Sequence, residues 1–174
     1  MEDLRYPIGQ FKPEATLTEK KRIECIQQIE AVPAALREAV KGLSREQLDT
    51  PYRPGGWTVR QVAHHIPDSH MNAYMRFRLA LTEEQPTIKP YSQPLWAELP
   101  DSKTADVESS LTLLEGLHKR WIALLRAMRP EDFKRTYNHP ENGVQALESV
   151  LQLYAWHGGH HVAHITSLRK RMSW

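Results

Sequence analysis

One cysteine occurs in the 174 residues, Cys25, so no internal disulfide can form and the fold must rest on its core and on any bound metal. A lone thiol also points to a reducing compartment. Charge of one sign is not in excess. The 23 basic and 21 acidic residues leave a formal net charge of +2, without the basic face or run by which proteins hold nucleic acid. The densest basic cluster, Arg169-Lys170-Arg171, is expected to complement the negative end of the last helix, so nucleic acid is not an expected partner. The longest apolar runs fall far short of a membrane span, which excludes the membrane as partner. Met1-Glu2-Asp3-Leu4 has neither a basic nor an apolar region of the secretory kind, so no signal peptide is expected and the cytoplasm is the expected location. No segment sustains the two-residue alternation of a strand, so no sheet is expected.

Helical periodicity is abundant. Residues 1–16 carry Pro7, Gly9 and Pro13 and read as an extended arm lying over the domain. From Thr18 to about Leu43, Ile23, Ile26, Ile29, Val32, Leu36 and Val40 recur at three- and four-residue steps, and Pro33 predicts a kink or a restart. Ser44-Arg-Glu-Gln reads as a capping box opening a short turn of helix. After the loop Thr50–Trp57, Thr58 is the candidate N-cap of a second long helix over 59–82, with Val62, Ile66, Tyr74, Phe77 and Leu81 as core and a bend at Pro67. Residues 83–103, with Pro86, Pro90, Pro94 and Pro100, read as a long crossover. A third helix is expected over 104–128 and a fourth over 145–171, the latter after the loop Asn138-His-Pro-Glu-Asn-Gly. Four such helices with one long crossover make an all-α four-helix bundle.

Seven of the nine histidines fall in two short windows, His64, His65 and His70 on the second helix and His157, His160, His161 and His164 on the fourth. Residues four apart share a helix face. Two pairs can therefore chelate an ion, His157 with His161 or His160 with His164, and the third ligand must come from His64 or His65 across the bundle. Three neutral imidazoles suit Zn²⁺, Ni²⁺ or another late first-row divalent metal. Three protein ligands rather than four leave a coordination position free, the arrangement of a catalytic centre. A bis-histidine haem bundle is the competing reading, but no Cys-x-x-Cys-His attachment site exists and axial ligation needs fewer histidines. Asp68, three residues after His65, is the candidate catalytic carboxylate, placed to orient an imidazole or to handle a proton. Gly158 and Gly159 inside the fourth helix cost about 1 kcal/mol each against alanine. They serve either close helix packing or room for a substrate.

The stretches Asp49-Thr-Pro-Tyr-Arg-Pro-Gly-Gly-Trp-Thr-Val-Arg-Gln-Val-Ala-His-His, Asp68-Ser-His-Met-Asn, Leu81-Thr-Glu-Glu, Asp101-Ser-Lys-Thr-Ala-Asp and Tyr154-Ala-Trp-His…His-His-Val-Ala-His-Ile-Thr closely resemble the YfiT group of the DinB-like superfamily. The similarity runs from Tyr6-Pro-Ile-Gly to Met172-Ser-Trp and implies one DinB-like domain over residues 1–174. It also selects among the histidines. The family's metal ligands correspond to His65, His157 and His161. Where the family can carry Ser-His between the last two, this chain has Gly158-Gly159. The resemblance further implies a homodimeric cytoplasmic protein with one zinc or nickel ion per chain. Its activity is that of a metal-dependent hydrolase or of a thiol S-transferase that attaches bacillithiol to electrophiles.

For the transferase, a low-molecular-weight thiol is bound as a metal-held thiolate and attacks a small electrophilic substrate. For the hydrolase, the same position holds hydroxide, and Asp68 is the nearby candidate base. A metal-binding stress protein without turnover is the third possibility. It expects the coordination sphere closed by a fourth protein ligand, His160 or His164. A transferase pocket also needs basic groups for the thiol's carboxylates, for which Arg53, Arg60 and Arg76 are the candidates.

Overall fold

The computed structural model describes residues 3–174. Met1 and Glu2, part of the stretch read above for a leader, lie outside the described residues. Ten elements follow one another: α1 (Glu19–Val40), α2 (Arg45–Leu48), α3 (Val59–Thr82), α4 (Gln93–Ala97), α5 (Pro100–Thr104), α6 (Val107–Ala127), a single 3₁₀ turn (Asp132–Lys134), β1 (Thr136–His139), β2 (Gly143–Ala146) and α7 (Leu147–Met172). The long helices α1, α3, α6 and α7 form a four-helix bundle. In it α1 packs against α6 and α7, and α3 packs against the same two. Helices α1 and α3, consecutive in the chain, therefore occupy opposite corners, while α3 and α7 lie side by side.

Local signals account for the helix starts. Thr18 accepts the Lys21 N–H at the head of α1. Ser44 and Thr58 each form the full capping box, with Gln47 and Gln61 as the reciprocal partners. Asp106 caps α6 through the Glu108 N–H. Helix α1 runs unbroken through Pro33 and α3 through Pro67, so the expected restart at Pro33 does not occur. In the crossover, Pro94 and Pro100 sit in the first turns of α4 and α5. There a fixed φ and a missing N–H cost nothing, so a stretch read as loop is partly helical.

The expectation of no sheet needs correction. β1 and β2 form an antiparallel hairpin, closed at Gly143 with a φ of +71°, which only glycine adopts freely. Asn138 also pairs with the crossover through the Pro86 carbonyl and the Ile88 N–H. Each strand is four residues long, and only Tyr137 and His139 are buried. The basic cluster occupies the last turn of α7, as expected, and also ties that turn to other elements. Arg169 donates to the Ala39 and Lys41 carbonyls at the end of α1, at 2.9 and 3.1 Å, and Arg171 donates to the Tyr52 carbonyl at 2.6 Å.

Two apolar clusters fill the bundle. One gathers Ile29, Phe77, Trp121 and Tyr154; the other gathers Leu36, Val62, Ile66, Leu114 and Ile165. His70 on α3, His118 on α6 and the four histidines of α7 fall between these two sets along their helices, with His64 and His65 one to two turns before His70, which places a polar histidine layer across an otherwise apolar interior. Ile23, expected in the core, is exposed. The N-terminal arm crosses α7, where Gln152 Oε1 accepts the Glu14 N–H and Trp156 Nε1 donates to the Gly9 carbonyl.

Candidate metal centre

His65 reaches the bundle interior from α3, and His157 and His161 present successive turns of α7 to it. Their ring centroids lie 5.4 Å (His65–His157), 4.7 Å (His65–His161) and 4.5 Å (His157–His161) apart. One ring nitrogen from each lies within 4.8 Å of the other two. The Nε2 atoms of His65 and His157 are 3.4 Å apart. Two nitrogens about 2.0–2.1 Å from one ion at a tetrahedral angle stand about 3.4 Å apart, so the donor set fits a small divalent cation.

The electrostatics fit as well. Burial pushes the His65 imidazole down to about 4, with the charge of His164 adding to it. His157 and His161 are held well below their ordinary value, first by burial and then by neighbouring imidazoles. All three are neutral at pH 7, the form in which imidazole ligates a metal. Trp57, at the end of the loop before α3, walls the site with its ring 4.8 Å from His65 and nearly parallel to His161 at 6.4 Å. No sequence pattern marks Trp57 for this place. A cleft of about 480 Å³ lined by Trp57, Tyr91 and Glu141, among others, adjoins that wall.

His64 turns the other way. Its Nδ1 is 2.7 Å from Ser110 Oγ and its Nε2 3.3 Å from the Ala105 carbonyl, so it serves the contact with α6. His160, His161 and His164 make a second group with nitrogens within 4.8 Å, and their Nδ1 atoms are buried without a partner. That group comes from one turn and a half of a single helix. His164 is occupied by the arm, its Nε2 donating to the Arg5 carbonyl at 3.1 Å and its ring stacking on Tyr52 at 4.0 Å. His160 stacks on Trp156. The group that spans α3 and α7 is the better candidate for a metal. His70 Nε2 lies 3.3 Å from His157 Nδ1, a contact to which spacing alone assigned nothing.

Asp68 is half-buried, and burial, with the charge of Asp101, raises its carboxyl to about 6. Among the described residues no carboxylate hydrogen-bonds to the three converging imidazoles. Of the arginines, Arg60 is buried and bound to Asp49 at 2.7 Å and to the Ala105 carbonyl, which makes it structural. Arg76 stands eleven residues beyond His65 on α3, about 16 Å along the axis. Arg53, in the Trp57 loop, bonds only Tyr52 Oη and the Pro54 carbonyl and has no carboxylate partner among the described residues. Gly158 serves close packing: a Cβ there would meet Val32, whereas at Gly159 it would meet only Ile8 at 3.8 Å.

Fold and site together define a helical bundle with a histidine group able to hold a metal ion. Residues 28–165 match the DinB superfamily, and the chain belongs to it. A protein of Bacillus mycoides (strain KBAB4) is 59% identical over 174 residues, all of both chains, and one of Bacillus cereus (strain 03BB102) is 60% identical over the same span. Both carry the name "Putative metal-dependent hydrolase". Among solved structures, YfiT from Bacillus subtilis, described as a "probable metal-dependent hydrolase with an unusual four-helix bundle topology", superposes with a TM-score of 0.95 at 54% identity over 98% of each chain. The four-helix bundle protein TT2238 shares the fold alone, with a TM-score of 0.58 at 20% identity over 84% of this chain and 98% of that one.

Proposed function

We propose that this protein is a metal-dependent enzyme holding one divalent ion, zinc or nickel, on His65, His157 and His161, and that it is a thiol S-transferase for a low-molecular-weight thiol of the bacillithiol kind. The observation that carries the metal reading is the convergence of three neutral imidazoles from two helices, with His65 and His157 Nε2 at 3.4 Å. When bound, such an ion lowers the pKa of a thiol or water that shares it.

The choice of thiol rests on the absence of a placed base. A free thiol, with a pKa near 8.5, loses its proton far more readily than water does. It asks little of a site in which no described carboxylate touches the imidazoles. Trp57 keeps bulk water from one side of the triad. Arg53 is the guanidinium free to hold a carboxylate of the thiol. The sulfur then forms a bond to an electrophilic carbon, and the leaving group departs with the bond's electron pair.

The hydrolase reading is favoured by one observation, the Asp68 carboxyl raised to about 6, near the range useful to a general base. The test is turnover by zinc-loaded protein with a generic electrophile, with and without added thiol, and with esters and amides alongside. The transferase requires turnover that depends on the thiol and saturates with it. Thiol-independent ester or amide cleavage that disappears in His161→Ala would establish the hydrolase instead.

A further inference from the structure

Pro33 has no N–H, so the carbonyl four residues before it, Ile29, lacks its usual helical donor. The side chain of His118 on α6 fills that place, with Nδ1 at 2.9 Å from the Ile29 oxygen. His118 Nε2 is 2.9 Å from His70 Nδ1, and His70 Nε2 is 3.3 Å from Nδ1 of His157. The rings of His70 and His118 lie within 14° of parallel, and both side chains are buried.

Each contact fixes the next. A carbonyl oxygen only accepts, so His118 Nδ1 carries the hydrogen. A neutral imidazole has one N–H, and burial holds His118 neutral down to about 4. Its Nε2 is therefore bare and must accept from His70 Nδ1–H. His70 Nε2 is then bare in turn and accepts from His157 Nδ1–H. The last link leaves Nε2 of His157 as a free lone pair, the atom that faces His65 Nε2. Gly158 makes room for this chain, because a Cβ at that position would lie 3.3 Å from His70 Cε1.

We propose that the Ile29 carbonyl, His118 and His70 form a tautomer-setting chain that locks His157 with its hydrogen on Nδ1 and its Nε2 lone pair aimed at the metal. His118 and His70 are positioning residues, neither touching the ion, and Pro33 is what frees the carbonyl that starts the chain. Ligating histidines commonly give their second nitrogen to a carboxylate, a carbonyl or water; here two further imidazoles relay that bond from a main-chain oxygen. The inference rests on the reading of His157 as a ligand.

The experiment is long-range ¹⁵N–¹H correlation of the imidazoles in ¹⁵N-labelled, metal-free protein, assigned by single histidine substitutions and paired with Zn²⁺ titration. Nδ1–H forms at His118, His70 and His157 are expected. His118→Phe should leave His157 in mixed tautomers and weaken Zn²⁺ binding about 10- to 100-fold. His118→Gln, which keeps a donor and an acceptor, should recover part of that loss. An Nε2–H form at His118 or His70 overturns the chain. So does a folded His118→Phe protein with unchanged His157 tautomer and Zn²⁺ affinity. If His118→Phe does not fold, the wild-type spectrum decides, since it needs no variant fold and no metal. Three Nδ1–H forms in a protein that binds no Zn²⁺ would overturn the metal reading and leave the chain standing.

Discussion

Gly158 on α7 lies so close to Val32 on α1 that a Cβ on the glycine would sit 2.4 Å from Val32 Cγ2 and 3.0 Å from Cγ1. Both are in well-packed interior, where neither backbone can retreat without opening the bundle beside the histidine layer. Gly159, one residue on, is exposed and meets only Ile8 at 3.8 Å. Gly158→Ala should therefore destabilise the protein by about 1–3 kcal/mol despite the better helix propensity of alanine. Gly159→Ala should be neutral or stabilise by up to about 1 kcal/mol. Denaturant midpoints of the two variants check the contrast, and equal effects would contradict it.

The acid response of the metal-free protein follows from the same layer. His65, His118 and His160 titrate at about 4 in the folded chain, chiefly through burial, against an ordinary value of 6.5. Between those values the unfolded chain binds protons that the folded chain refuses, so stability falls as pH drops from about 6.5 to about 4 and is unaffected by these groups above 6.5. Each contributes a slope of at most about 1.4 kcal/mol per pH unit. Asp68 works in the opposite sense, since its folded value of about 6 lies above its ordinary 3.8 and its protonation favours the folded state. One carboxyl against several imidazoles leaves a net loss. A denaturation midpoint that stays flat from pH 6.5 to 4 would contradict this.

The second long helix was the most legible part of the fold, because Thr58 and Gln61 form a complete capping box and the apolar stripe from Val62 to Phe77 follows at once. The hairpin was not legible, since two buried residues in one strand and none in the other are too few to show a two-residue period. The expected break at Pro33 failed for a reason no local pattern contains. The carbonyl that proline leaves unpaired is satisfied by His118, 89 positions from Ile29 in the chain. In the site, helical spacing brought out both chelating pairs and both helices, but not which pair or which of His64 and His65. The resemblance chose His65, His157 and His161. The structure supplies the physical contrast, with His64 bonded to Ser110 and His164 to the arm. His118 stood alone in sequence, outside both windows, and only the fold brings it beside His70.

Two substitutions separate the enzymatic readings. Asp68→Asn should lower thiol-dependent turnover only moderately, by less than about tenfold, because a thiol needs no general base to ionise. A loss of about 10²-fold or more would instead give Asp68 the proton-handling role of the hydrolase. Cys25→Ser should leave the rate unchanged. The Cys25 thiol lies by a separate cleft under the N-terminal arm, and burial pushes it up, away from the reactive thiolate. Steady-state rates for both variants, measured with saturating thiol, check the pair.

Calorimetric titration of Zn²⁺ into the metal-free protein, run alongside His161→Ala and His164→Ala with folding confirmed by circular dichroism, reads the metal ligand set itself. One ion per chain is expected for the wild type and for His164→Ala, with binding abolished in a folded His161→Ala protein. Zn²⁺ binding that survives in His161→Ala, or that disappears in His164→Ala while His161→Ala retains it, would contradict the account.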